Sequence, residues 1–149
     1  MQIKIEIQQA KITDAKAIAS LSDQLGYTSS EAAIQQRLHV IFQDSNQCVS
    51  AAIYNQQLIG WIHGFIALRV ESDAFVEIGG LVVNEQFRQQ GVGKLLVEKI
   101  YSWSLNKHCN HIRVRSNVMR KESHLFYKKL GFNELKEQKV YGLELLKNS

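Results

Sequence analysis

The sequence has no proline and only two cysteines, Cys48 and Cys109. Without proline, turns have to be marked by glycines and polar clusters. Two cysteines cannot form a disulfide framework, and a domain of 149 residues has no need of one, because it buries roughly 70% of its unfolded surface. Long apolar runs are also missing. The richest stretch, residues 58–68, is broken by Gly60, His63 and Gly64 and falls short of the ~20 residues a membrane span requires. No secretory leader pattern opens the chain, so a cytoplasmic address and no membrane partner are expected. Internal repeats and low-complexity segments are absent, which predicts a single domain over residues 1–149. Eighteen basic against fourteen acidic residues give a formal charge of +4. That excess is too mild to imply a nucleic-acid partner and suits a small anionic ligand equally well.

Hydrophobic spacing predicts the elements. Ile3, Ile5 and Ile7 alternate with polar residues as a first strand. After Thr13 or Asp14 as N-cap, Ile18, Leu21 and Leu25 fall at helical spacing, and Gly26 ends that helix. Ser29 and Ser30 can cap a second helix carrying Ile34, Leu38, Ile41 and Phe42. Residues 48–54 and 58–68 read as a hairpin, and Ser72-Asp73 as a turn into a third antiparallel strand, 74–83. Val92, Leu95, Leu96, Ile100 and Trp103 form the stripe of a helix from Gly91 to about Leu105. A strand at 112–116, a helix at 121–130 closed by Gly131, and a last strand through Tyr141, Leu143 and Leu145 complete the order, with one further strand possible near 132–136.

The chemistry sits between the 74–83 strand and the helix after it, in Asn84-Glu85-Gln86-Phe87-Arg88-Gln89-Gln90-Gly91-Val92-Gly93-Lys94. Glycine permits φ > 0 and close approach of a ligand, and the first-turn amides point outward with the positive end of the helix dipole. Such a loop binds phosphate. A dinucleotide fingerprint would need a third glycine where Leu96 stands, and a P-loop would need Ser or Thr in place of Leu95.

The remaining pattern, Arg-x-x-Gly-x-Gly after an antiparallel strand, resembles the GCN5-related N-acetyltransferase (GNAT) family. Glu77-Ile78-Gly79-Gly80-Leu81-Val82-Val83 resembles its central strand, and residues 124–132, with Phe126-Tyr127 and Gly131-Phe132, its closing helix and turn. The resemblance implies an α/β (α+β) fold. Its central sheet is mixed and mostly antiparallel, with six to seven strands, four flanking helices and two parallel central strands that splay apart around the pantetheine arm. It implies acetyl-CoA as cosubstrate, no metal, and acetyl transfer to a primary amine by direct attack in a ternary complex.

Carried onto this chain, the resemblance makes Arg88, Gln89, Gln90, Gly91, Val92, Gly93 and Lys94 the pyrophosphate loop. Leu81, Val82 and Val83 line the pantetheine, with the Val83 N–H facing the thioester oxygen. Glu77 is the expected base, and Tyr127 the expected acid for the departing thiolate. Asn117 follows the 112–116 strand where polar side chains meet the pantetheine. Arg120 stands where many members carry asparagine, and is a candidate for a CoA phosphate or a brace for the loop. Adjacent Gly79 and Gly80 suit a β-bulge. Each residue also has a plainer reading: Glu77 as a solvent-facing strand residue, Tyr127 as an aromatic packed beside Phe126.

His63 faces the acceptor side if the hairpin register turns it that way. His108, Cys109 and His111 lack zinc spacing and read as a solvated helix end. The family likeness points to small-amine and aminoglycoside-type enzymes, hence a small cationic acceptor. A peptide or protein amine is the nearest alternative, a non-catalytic acyl-CoA sensor the next. Dimers are common in the family, so a homodimer is possible.

Overall fold

The computed structural model describes residues 4–116 and 120–146. The chain divides into two compact units, 1–115 and 116–149.

The first unit is built on a sheet of five strands in sequential order: β1 (Glu6–Gln9), β2 (Gln47–Tyr54), β3 (Gln57–Arg69), β4 (Ser72–Val83) and β5 (Ile112–Val114). The first four pair antiparallel, and β5 adds parallel to β4. Asn55 and Gln56 link β2 to β3 with φ of 49° and 64°, the left-handed pair that matches the twist of a two-residue hairpin. β4 starts at Ser72, two residues before the expected start. The turn lies at Val70-Glu71 instead, because Arg69 already pairs with Ser72.

Helices α1 (Ala15–Asp23) and α2 (Glu31–Ile41) cover one face. Ile18, Leu21, Ile34 and Leu38 share a buried cluster there with Val49, Ala51, Leu58 and Val82, and Trp61 packs against it. Ser30 caps α2 through Ala33 N–H at 3.1 Å. Asp14, expected as a side-chain cap, accepts from the Lys11 amide at 2.8 Å. Helix α3 (Val92–Asn106) covers the opposite face. Gly60 and Gly64 bring the β3 backbone close to its Val92, Leu96 and Ile100 side chains. Leu96 and Ile100 are fully buried, each stabilising the fold by about 1.5–3 kcal/mol. Cys109, expected in solvent, is buried at 6% exposure.

The second unit contains α4 (Lys121–Lys129), closed by Gly131 at φ 97°. Neither the strand expected at Tyr141, Leu143 and Leu145 nor the one near 132–136 is present. Among the described residues the sheet therefore has five strands, not six or seven, although the four expected helices are all found. Alternation alone does not make a strand; a ladder needs a partner. Among its described residues this unit holds no strand, and Tyr141, Leu143 and Leu145 are exposed.

Gly80 is needed for packing. A Cβ there would lie 2.7 Å from Cη2 of the Trp61 ring. Gly80→Ala should destabilise the protein by about 1–3 kcal/mol in urea unfolding. Gly142→Ala, with nothing within 4 Å, should stay within about 0.5 kcal/mol of wild type. Equal midpoints for the two variants would contradict the packing described.

Candidate active site

The site begins with a fault in the sheet. Opposite His63 the β4 register shifts, so that Gly80 pairs with His63 and Ile78 with Gly64, leaving Gly79 as the extra residue. This is the bulge the paired glycines suggested. It turns two consecutive positions toward one face: a Cβ on Gly79 would meet Phe65 Cε1 at 3.1 Å and His63 Nδ1 at 3.3 Å, and one on Gly80 would meet Trp61. Trp61, His63, Phe65 and Glu77 therefore lie on the α1/α2 side of the sheet. His63 takes the orientation expected only if the hairpin had this register.

Beyond the bulge, β4 has no second neighbour among the described residues. Parallel pairing with β5 runs through Val76–Ile112, Glu77–Arg113 and Ile78–Val114 and ends there, while β4 continues to Val83. The Asn84 amide donates to the Ile59 carbonyl at 2.8 Å, on the β3 side. Since N–H directions alternate along a strand, the amides of Val83 and Leu81 point to the other edge, where pairing with β5 has stopped. Val82 differs from these two: its side chain is core, at 5% exposure.

The loop after β4 leads directly into α3. Asn84 accepts from the Gln86 amide at 3.1 Å, and the Glu85 amide donates to Gln24 Oε1 at 3.1 Å. Gln89 and Gly91 have φ of 63° and 85°, which turns the chain so that Gly91 is the N-cap of α3. Val92, Gly93 and Lys94 form the first helical turn, whose amides have no intrahelical acceptor. The Val92 side chain is buried, so only its backbone is available. Arg88, Gln89 and Gln90 are exposed at the loop's rim.

Glu77 Oε1 stands 3.9 Å from Arg69 Nη2 and 3.8 Å from Arg115 Nε. Two guanidinium groups thus share a carboxylate that sequence alone left as either base or surface residue. Arg113 lies over the Phe75 ring at 4.1 Å. His63 Nε2 and Gln47 Oε1 are 2.6 Å apart. Sequence gave no sign of that pair, which is made by residues on different strands brought together by register. Burial pushes the His63 imidazole below its ordinary value, so it is neutral at pH 7. Burial also pushes the Cys48 thiol up, against opposing effects from Ser50 and Lys99. The thiol is therefore the form present at neutral pH.

Within the second unit, Tyr127 sits on α4 between Phe126 and Phe132, with ring centroids 5.1 Å and 5.5 Å away. Burial pushes its phenol up, with the Arg120 charge acting in the opposite direction. The phenol keeps its proton at neutral pH, as a general acid must. Asn117 lies outside the described residues.

The family model for acetyltransferases (GNAT) matches residues 15–132. The chain belongs to this family. It is a GNAT acyl-CoA-dependent N-acetyltransferase. An uncharacterised N-acetyltransferase of Chlorobaculum tepidum is 26% identical over 132 residues, spanning 89% of this chain and 77% of that one. Among solved structures, the aminoglycoside N-acetyltransferase AAC(6')-Iy in complex with CoA superposes with a TM-score of 0.85 at 23% identity, covering 96% of this chain and 97% of the other. The apo aminoglycoside 6'-N-acetyltransferase AAC(6')-IG of Acinetobacter haemolyticus gives 0.82 at 20% identity, covering 94% and 99%. These structural likenesses establish the GNAT fold.

Arg120→Ala removes the charge that opposes burial at Tyr127. The phenol should then titrate at still higher pH, read from the Tyr127 13Cζ shift. An unchanged or lower midpoint would contradict the assigned interaction.

Proposed function

We propose that this acetyltransferase moves the acetyl group of acetyl-CoA to the primary amine of a small cationic molecule, by direct attack in a ternary complex. The observation that carries the reading is the edge of β4 past Ile78, unpaired among the described residues, where the Leu81 and Val83 amides point away from β3, at the end of the strand that leads into the first turn of α3. That arrangement suits one elongated ligand. The pyrophosphate rests on residues Arg88 to Lys94, and the pantetheine amides extend along Leu81 and Val83. Val82 keeps the strand seated in the core. Arg120 and Asn117 remain candidates for contacts with the cosubstrate. Acetyl-CoA supplies an activated thioester carbonyl.

The Val83 N–H is the proposed donor to the thioester oxygen. Negative charge grows on that oxygen as the amine attacks, so a fixed amide stabilises the tetrahedral intermediate more than the ground state. Before attack, the ammonium must lose a proton to free its lone pair. Glu77 draws the cation to the α1/α2 side of the sheet. Two groups on that side can receive the proton, the Glu77 carboxylate and the His63 imidazole. When the C–S bond breaks, Tyr127 protonates the thiolate. The choice of a small cationic acceptor is supported by the fold likeness to aminoglycoside N-acetyltransferases.

CoA thiol release, followed with pooled aminoglycosides, polyamines, amino acids and peptides, tests the class and the acceptor together. Release with aminoglycosides or polyamines is expected. Release with peptides alone would move the acceptor to protein amines, and silence with acetyl-CoA bound would favour a sensor.

Gly93→Arg should weaken acetyl-CoA binding at least tenfold in calorimetry by filling the phosphate site; unchanged affinity would show that the loop is misassigned. Tyr127→Phe should lower turnover by about 10²-fold with little change in that affinity. Equal rates would remove Tyr127 from the mechanism.

A further inference from the structure

We infer that His63 is the group that takes the proton from the acceptor amine, through Nδ1, and that Glu77 is the anchoring carboxylate beside it. The inference rests on the acetyl-transfer reading and names its proton acceptor.

Three observations converge on it. The 2.6 Å contact between His63 Nε2 and Gln47 Oε1 fixes the tautomer. An amide oxygen can only accept, so Nε2 carries the proton and Nδ1 keeps a lone pair. That lone pair is at the bulge: Nδ1 lies 3.3 Å from where a Gly79 Cβ would stand, and no described residue bonds to it. The Gly79 position has no side chain to block it, and the strand just beyond it offers the Leu81 and Val83 amides. Glu77, by contrast, is already engaged by Arg69 and Arg115.

The surroundings keep the imidazole neutral. Burial is the sole cause of its downward shift. From β2 it faces Gln47 and Val49, neither of them titratable. On β4 the acidic group of this side is Glu77, with Arg69 and Arg115 bound to it and Arg113 over Phe75. Helices α1 and α2 bring Ile18, Leu21, Ile34 and Leu38 to this side, all apolar. A neutral imidazole at pH 7 is a competent base.

The ammonium gives one proton to Nδ1, and the freed lone pair forms the C–N bond. On collapse the C–S bond breaks and the thiolate takes the Tyr127 proton. The nitrogen's surplus proton returns to the phenolate through water, and His63 releases its own to solvent. One proton is released per turnover.

The test is the pH profile of kcat at saturating acetyl-CoA and amine, for wild type, His63→Gln, Gln47→Ala, Gln47→Glu and Glu77→Gln. Wild type should lose rate as pH falls through the lowered His63 value, below about 6.5. His63→Gln should lower kcat about 10²-fold and remove that acid limb, with acetyl-CoA affinity unchanged in calorimetry. Gln47→Ala should lower kcat with little change in KM. Gln47→Glu should restore the hydrogen bond while moving the limb to higher pH, because a carboxylate stabilises the imidazolium. Glu77→Gln should raise the acceptor KM and leave the limb in place.

A His63→Gln enzyme with wild-type kcat and limb would overturn the inference, as would a Glu77→Gln enzyme that lost both. Independently of turnover, a 15N spectrum showing His63 protonated at Nδ1 alone at pH 7.5 would also overturn it. Wild-type silence toward every amine would instead sink the acetyl-transfer reading, before any variant is compared.

Discussion

One extra residue in β4 organises the site. Gly79 has no partner of its own on β3, and accommodating it places two consecutive glycines on the same face. Trp61, His63 and Phe65 then lie over those glycines: a Cβ on Gly80 would collide with the Trp61 ring, and one on Gly79 would crowd Phe65 and His63. A bulge also bends its strand and increases local twist. In this chain the parallel partner β5 pairs only as far as Ile78, immediately before the bulge. The same fault that aims the rings is thus followed by a stretch of β4 with one edge unpaired among the described residues.

A sheet edge with unpaired amides is normally a liability. Here it suits an extended ligand that can bond to it much as another strand would, and the first turn of α3 presents its own free amides after a short loop. The two faces divide the labour. Helix α3 closes over Gly60 and Gly64 and fixes the loop that begins it. Helices α1 and α2 cover the opposite face, the side on which Glu77 meets Arg69 and Arg115 and His63 meets Gln47.

Much of this was legible in the sequence because it depends on local spacing. The stripe of α3, the glycines of its loop, the hairpin turn and the helix ending at Gly131 are all set by residues within one or two turns of each other. The paired glycines announced the bulge because a Cβ at either position would crowd the Trp61, His63 or Phe65 ring. What could not be read is what register decides. Gln47 and His63 are on separate strands, and their hydrogen bond follows from which residues of β2 and β3 face each other. Arg69 and Arg115 reach Glu77 from two different strand ends. The alternating pattern at Tyr141, Leu143 and Leu145 was misleading for the converse reason: a strand is a relation between segments, and the described residues of the second unit hold no strand to pair with.

The central claim is that acetyl-CoA lies along the free edge of β4 and on the first turn of α3. Backbone 1H–15N spectra of the full chain, titrated with acetyl-CoA, test it most directly. The account predicts that the amides of Leu81, Val83, Gly91, Gly93 and Lys94 shift together at one saturation point, while those of β1 stay in place. Perturbations centred on β1 and the β2–β3 turn, with Leu81 and Val83 unmoved, would contradict it.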